Sequence, residues 1–346
     1  MALAGCYTAL VTPFTDDLEL DGDALSRLLS FQSENGVGGV VMAGTTGESP
    51  TLTHEEWRQM LAEAVARMPS RSLVVAGTGG NDTKKSVQLT REAVDAGAGA
   101  ALVVDPYYNG PSSVEIRREH YAPIAEAAGE VTVIPYIIPG RTGTQLAPED
   151  LALLARSHPN VRAVKEATGD AANASAIRAL CGKDFSIFSG DDDKTLSFMT
   201  APSISACGVI SVVSNVAPRA VTDMVSASLA GDRATAEALA AALKPLFELV
   251  TVKTEERVMD RNVAVKARNP LPIKTLSSLL GMQVGRCRPP LGRMTRSGLN
   301  RVLENARKVW RDTPEIFEPI ERHFDVSISD RLGSPKFVEG LCYDDY

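Results

Sequence analysis

Short apolar runs alternate with longer amphipathic stretches over the first two thirds of the chain. The strand-like runs cover residues 7–14, 39–43, 73–77, 101–104, 131–137, 161–165, 185–189 and 208–213. Between them, residues 23–34, 54–68, 83–96 and 114–128 place apolar side chains at helical spacing. Strands joined by crossovers of this length pair in parallel. Eight such units predict an α/β fold of the (β/α)8 TIM-barrel type. The competitor, an open doubly wound sheet, would carry a G-x-G-x-x-G loop after its first strand, and none is present.

Beyond the eighth run the pattern changes. Residues 221–254 are rich in Ala and Leu at helical spacing, Pro270-Leu271-Pro272-Ile273-Lys274 opens another helix, and residues 297–311 supply a third. The expected plan is a catalytic barrel over residues 1–229 and an all-helical C-terminal domain over 230–311. The extension 312–346 is charged and punctuated by Pro and Gly, yet carries Phe317, Phe324, Phe337, Tyr343 and Tyr346. So many aromatics predict docking on the helical domain or a neighbouring subunit rather than a free tail.

Composition narrows the partners. The 346 residues are 44% hydrophobic and 23% charged, as in a water-soluble globular protein, and the net charge is −7. An acidic chain without a basic stripe argues against nucleic acid. No apolar run approaches a membrane span, and the start lacks a secretory pattern. Cys6, Cys181, Cys207, Cys287 and Cys342 are scattered, which suits reduced thiols in the cytoplasm. The four histidines show no ligand spacing, so no metal is expected and no cofactor loop is seen.

Barrel chemistry collects at the C-terminal ends of strands. Lys165 ends the sixth run; burial would lower its pKa and yield the free amine that forms a Schiff base, whereas a snorkelling ammonium is the bland alternative. Gly44-Thr45-Thr46-Gly47-Glu48-Ser49, after the second run, offers hydroxyls and backbone donors to a carboxylate, or simply a capped turn. Tyr107 and Tyr108 follow the fourth run, one suited to a pocket and one to an interface. Tyr136 ends the fifth and could relay protons, and Arg141 in the next turn could clamp a carboxylate or lie on the surface. Asp191-Asp192-Asp193 fit a helix N-terminus better than a magnesium site. One lysine ringed by Thr, Tyr and Arg suits imine chemistry on a 2-oxo acid.

The motifs GTTGES (44–49), PYYNGPS (106–112), Y-x-x-P-G-R-T-G (136–143), VKEATGD (164–170), SGDD (189–192) and GVISVVSN (208–215) resemble those of the dihydrodipicolinate synthase (4-hydroxy-tetrahydrodipicolinate synthase) family, over about residues 3–305. That family sits in the pyruvate-aldolase group with N-acetylneuraminate lyase. The resemblance implies a lyase that condenses pyruvate with L-aspartate 4-semialdehyde on the way to diaminopimelate and lysine. It implies a homotetramer built from two tight dimers. By position, Lys165 would be the Schiff-base lysine, and Tyr136, Thr45 and Tyr108 a proton relay, with Tyr107 at the tight-dimer interface. Thr46 would hold the pyruvate carboxylate and Arg141 that of the semialdehyde, with Gly190 and Ile210 lining the pocket. Ser49, His54, Asn81 and Tyr107 match the inhibitory lysine site of feedback-sensitive members. Lys85, however, stands where those members have glutamate, and Pro50 and Trp57 also differ. Ile137 replaces the asparagine common after the relay tyrosine, and residues 312–346 extend past the usual family end. Two other readings remain: a sister aldolase for a sialic or keto-deoxy sugar acid, which usually lacks the arginine, and a non-catalytic ligand-sensing paralogue, which would not need Lys165, Tyr136, Thr45 and Tyr108 together.

Overall fold

The computed structural model describes residues 3–346; Met1 and Ala2, at the head of the expected barrel, lie outside the described residues. Eight strands form a closed barrel in sequence order: β1 (Gly5–Ala9), β2 (Gly39–Met42), β3 (Leu73–Gly77), β4 (Ala100–Val104), β5 (Thr132–Ile137), β6 (Ala163–Glu166), β7 (Ser186–Ser189) and β8 (Gly208–Ser211). Every neighbouring pair is parallel, and β8 closes on β1. The interior is filled by inward side chains including Tyr7, Val41, Val75, Leu102, Ile134, Phe188 and Ile210. Tyr7 and Phe188 meet edge to face, their centroids 5.1 Å apart.

The outer helices begin at side-chain caps, which satisfy their free N–H groups. Asp21 caps α1 (Gly22–Glu34), Thr53 and Glu56 form a capping box on α2 (His54–Arg67), and Asp82 caps α3 (Thr83–Asp95). The predicted helix at 114–128 is three pieces: α4 (Ser113–Glu115), a π-helical stretch Ile116–Tyr121, and α5 (Ala122–Ala128). The barrel continues through α6 (Pro139–Thr142), α7 (Pro148–Ser157), α8 (Ala171–Cys181), α9 (Thr195–Thr200) and α10 (Pro218–Leu229).

Two strand-like runs end two or more residues earlier than expected. β1 stops at Ala9, and the apolar run continues to Phe14 because it passes under the C-terminal region, where Phe14 N–H donates to the Val284 carbonyl at 3.1 Å. β8 stops at Ser211 because the Asp192 carboxylate takes the next two N–H groups, Val212 at 2.9 Å and Val213 at 3.3 Å.

The C-terminal region is helical, with α11 (Arg233–Phe247), α12 (Leu271–Leu279) and α13 (Arg296–Asp312), but the all-helical expectation is corrected. An antiparallel hairpin, β9 (Thr251–Val258) and β10 (Arg261–Arg268), stands between α11 and α12. Its residues alternate between a half-buried face (Thr254, Glu256, Val263, Val265) and an exposed one (Lys253, Glu255, Ala264, Lys266), a period of two that no helix allows.

The extension folds into α14 (Glu318–Phe324) and α15 (Ile328–Gly333) with short 3-10 turns. Phe317 and Phe324 are buried, and Phe324 packs on Phe31 of α1. Arg331 donates to the carbonyls of Leu279 and Ser278 at 2.6 and 2.8 Å, tying α15 to the end of α12. Phe337 is half-buried; Tyr343, whose N–H donates to the Met294 carbonyl at 3.0 Å, and Tyr346 keep exposed side chains within the single chain.

Candidate active site

Lys165 and Tyr136 are register partners on β6 and β5, and both point into the barrel mouth. Lys165 is 4% exposed, and its Nζ lies 4.2 Å from the Tyr136 ring centroid. Among the described residues it forms no ion pair and no hydrogen bond to protein. Burial lowers its pKa from 10.5 to about 8, opposed by the more distant carboxylates of Asp191 and Asp192. Snorkelling is thus corrected: the amine is enclosed. Burial likewise raises the Tyr136 phenol to about 12, with Arg141 and the Thr45 hydroxyl pulling the other way.

The loop 44–49 is held from beneath. Thr12 donates to the Gly47 carbonyl at 2.7 Å. Glu48 adopts a left-handed φ of 56° and turns its carboxylate inward to Lys274 Nζ at 2.8 Å and Arg288 N–H at 2.8 Å. Asn269 Nδ2 donates to Thr46 Oγ1 at 2.8 Å, which leaves the Thr46 hydroxyl proton free to donate into the mouth.

Arg141 sits on the single turn α6 at the open rim. Its Nη2 donates to the Asn269 carbonyl at 2.8 Å, and Arg268 Nη1 donates to the Gly140 carbonyl at 3.0 Å. Desolvation, reinforced by the neighbouring Arg268 charge, lowers the pKa of Arg141. Gly190, after β7, donates its N–H to the Glu166 carbonyl at 2.6 Å; a Cβ there would come 2.5 Å from that of Ala167, so only glycine lets the two strand ends close. Ile210 is buried within the barrel.

One expectation is not met within the single chain, and one is corrected. Tyr108 is 90% exposed with φ of 85°, turned outward on the rim, and does not meet Tyr136 and Thr45 within the chain. The acidic run is no simple helix cap: Asp191 makes no capping bond, and the Asp192 carboxyl, raised by burial to about 6, accepts from Ser211 and the backbone beyond β8.

A cavity of about 450 Å³ runs from Thr45 and Arg141 to the gap between α2 and α3. Ser49, His54, Asn81, Lys85 and Tyr107 all line it, so the five regulatory candidates share one wall. His54 Nε2 is 2.5 Å from Glu92 Oε2.

Arg268 and Asn269 are hidden in the sequence because the segment before Pro270 reads as part of a helical appendage; Lys274 lies on a helix, as expected, but its partners Thr12, Glu48 and Arg286 are not local to it. The available signals were the alternation in Val263-Ala264-Val265-Lys266-Ala267 and the turn at Met259-Asp260.

The arrangement supplies an amine that is about half deprotonated at pH 8, a buried phenol beside a hydroxyl, and a guanidinium at the rim. The family model described as "Dihydrodipicolinate synthetase family" matches residues 2–308. A 4-hydroxy-tetrahydrodipicolinate synthase of Methanothrix thermoacetophila is 41% identical over 294 residues, 84% of this chain and 92% of the relative. The crystal structure of dihydrodipicolinate synthase from Aquifex aeolicus superposes with a TM-score of 0.81 at 36% identity, covering 91% of this chain and 100% of that one. A lysine-bound structure of the Cyanidioschyzon merolae enzyme gives a TM-score of 0.80 at 32% identity, covering 88% and 98%.

Proposed function

Since the chain belongs to the dihydrodipicolinate synthetase family, we propose that its barrel mouth performs that family's Schiff-base condensation with Lys165 as the nucleophile. The activity is that of a 4-hydroxy-tetrahydrodipicolinate synthase, a lyase of the class I aldolase type that joins pyruvate to L-aspartate 4-semialdehyde in lysine and diaminopimelate biosynthesis. The carrying observation is the enclosed Lys165 amine, its pKa lowered to about 8, with no ion-pair partner among the described residues.

The neutral amine adds to the keto carbon of pyruvate. The C–N bond forms, and the former carbonyl oxygen leaves as water after two protonations. Loss of a methyl proton gives the enamine, whose terminal carbon adds to the aldehyde carbon. Tyr136 with Thr45 carries these protons, Thr46 donates to the pyruvate carboxylate, and Arg141 holds the carboxylate of the semialdehyde. Gly190 and Ile210 shape the space around the imine. Tyr108 reaches the mouth of a second copy rather than its own, with Tyr107 at that contact. This rests on its exposure at the rim and fits a tetramer of two tight dimers. No helix among the described residues is long and apolar enough to cross a membrane, and cytoplasmic residence is part of the proposal. The division at residues 229 and 311 is its domain plan.

The test is to incubate the protein with pyruvate, reduce with borohydride and map the added mass. Label on the Lys165 peptide is expected; label on Lys183 or Lys194 instead sinks the assignment. Assays with aspartate semialdehyde against sugar-acid substrates then separate the synthase from a sister aldolase. Arg141→Ala should reduce kcat/KM for the semialdehyde by roughly 2–5 kcal/mol while pyruvate labelling persists. Equal loss of both steps would mean Arg141 is structural.

A further inference from the structure

The exposed face of the β9–β10 hairpin carries an arrangement that is unfavourable as it stands. Lys253 and Lys266 are direct cross-strand partners, on the same face. Like charges placed opposite one another destabilise a strand pair. Two residues along β10, Arg268 reaches over to the Gly140 carbonyl, next to Arg141, whose own guanidinium returns to Asn269 at the hairpin's foot. Four cations therefore converge between the hairpin and the barrel mouth. None of them forms an ion pair among the described residues, whereas Arg257 near the hairpin tip faces Asp260 at 3.9 Å. Glu255 lies on the lysines' face but pairs across the ladder with Ala264.

The two lysines also border a groove of about 650 Å³ against the first turns of α13, where Asn300 supplies an amide. Arg301 and Glu304 in the same groove face each other at 3.9 Å. Glu255 also lines the groove, one carboxylate beside two lysines, and among the described residues neither lysine forms an ion pair with it. The proximity of Arg268, Lys253 and Arg141 makes itself felt in a lowered pKa for Lys266.

We propose that Lys253 and Lys266, flanked by Arg268, form a second anion-binding site beside the barrel mouth, for a small polyanion bearing two or more carboxylates or a phosphate. It adjoins the Arg141 site without sharing its ligand, and only that adjacency rests on the reading of Arg141 given above. A bound polyanion offsets the repulsion of the lysine pair and stiffens the hairpin whose foot holds Thr46 and Arg141 through Asn269. The site thereby couples polyanion binding to the mouth.

Calorimetric titration of the full chain with citrate and with inorganic phosphate, at low and matched ionic strength against sodium chloride, tests this. Saturable binding of one equivalent is expected, and the tighter of the two probes identifies whether carboxylates or phosphate are the natural chemistry. K253Q/K266Q should weaken binding about tenfold or more. K253E should abolish it while raising Tm, since attraction then replaces repulsion across the ladder. Borohydride labelling of Lys165 should be unchanged in both variants, which separates failure here from failure of the catalytic assignment. Absence of saturable binding, or binding undiminished in K253Q/K266Q or K253E, overturns the proposal.

Discussion

Lys274, in the seam between barrel and C-terminal region, and Lys165, at the mouth, are 1% and 4% exposed, so neither ammonium can rely on bulk water. Each also lies over an aromatic ring, Phe14 at 4.3 Å and Tyr136 at 4.2 Å. Their partners differ. Lys274 donates to Glu48 at 2.8 Å, the Thr12 carbonyl at 2.9 Å and the Arg286 carbonyl at 3.1 Å, which uses all three of its protons. Lys165 has no such acceptors among the described residues. Equal burial gives a structural pin where the charge is answered, and an amine with a lowered pKa, the proposed nucleophile, where it is not.

The largest effect should come from breaking the pin. Lys274→Met strands the Glu48 carboxylate without its cation, and removal of one partner of a buried pair costs about 3–5 kcal/mol. Urea unfolding should show that loss, and Glu48→Gln added to Lys274→Met should recover most of it. A loss within measurement error would mean the seam is wetter than its burial indicates.

The opposite substitution at the mouth should stabilise. Lys165→Met should abolish pyruvate labelling, yet it removes a charge whose burial is unfavourable. A lowering from 10.5 to about 8 corresponds to a gain of up to about 3 kcal/mol at pH 7. The sign follows from linkage: below pH 8 the lysine is protonated in both folded and unfolded protein, and the folded state bears the full penalty. As pH rises from 8 towards 10.5 the penalty fades, so the variant's advantage should shrink across that window. For the same reason, wild-type imine formation should rise about tenfold per pH unit up to 8 and then level. A stability advantage independent of pH would contradict this account.

A third lysine sharpens the contrast with a smaller effect. Lys85 is exposed on the wall of the 450 Å³ cavity. An effector bringing its own ammonium there meets like charge, screened by water, and inhibition by L-lysine should be weakened about three- to tenfold relative to Lys85→Glu. Dose–response curves for the two proteins decide; identical curves, or sub-millimolar inhibition of the wild type, would mean Lys85 swings clear of the ligand.

The barrel was legible because eight apolar runs separated by amphipathic crossovers admit few alternatives. The placement of Lys165, Tyr136, Thr45, Thr46 and Arg141 at the barrel mouth was legible because they follow or end strand-like runs; their roles belong to the proposal. The hairpin was not, because Ala and Leu up to residue 243 set a helical expectation that was carried across the alternation from Thr251 to Arg268. The outward turn of Tyr108 depends on a backbone conformation that neighbouring tyrosines do not announce. Asn269 and Lys274 act on residues more than 220 positions earlier, at separations of 223 and 226, and no local pattern encodes such pairs.

Those separations bear on how the protein is made. Synthesis delivers the loop after β2 early, but Glu48 meets its cation only once residues 274 and 288 have left the ribosome. Until then a nascent barrel carries a carboxylate that cannot be buried without cost, which favours keeping this loop open and delays closure of the ring. Long loops must be drawn together before such contacts reward it. Completion of the mouth, whose Thr46 and Arg141 are held by Asn269, is therefore expected late in folding, once the C-terminal region has docked.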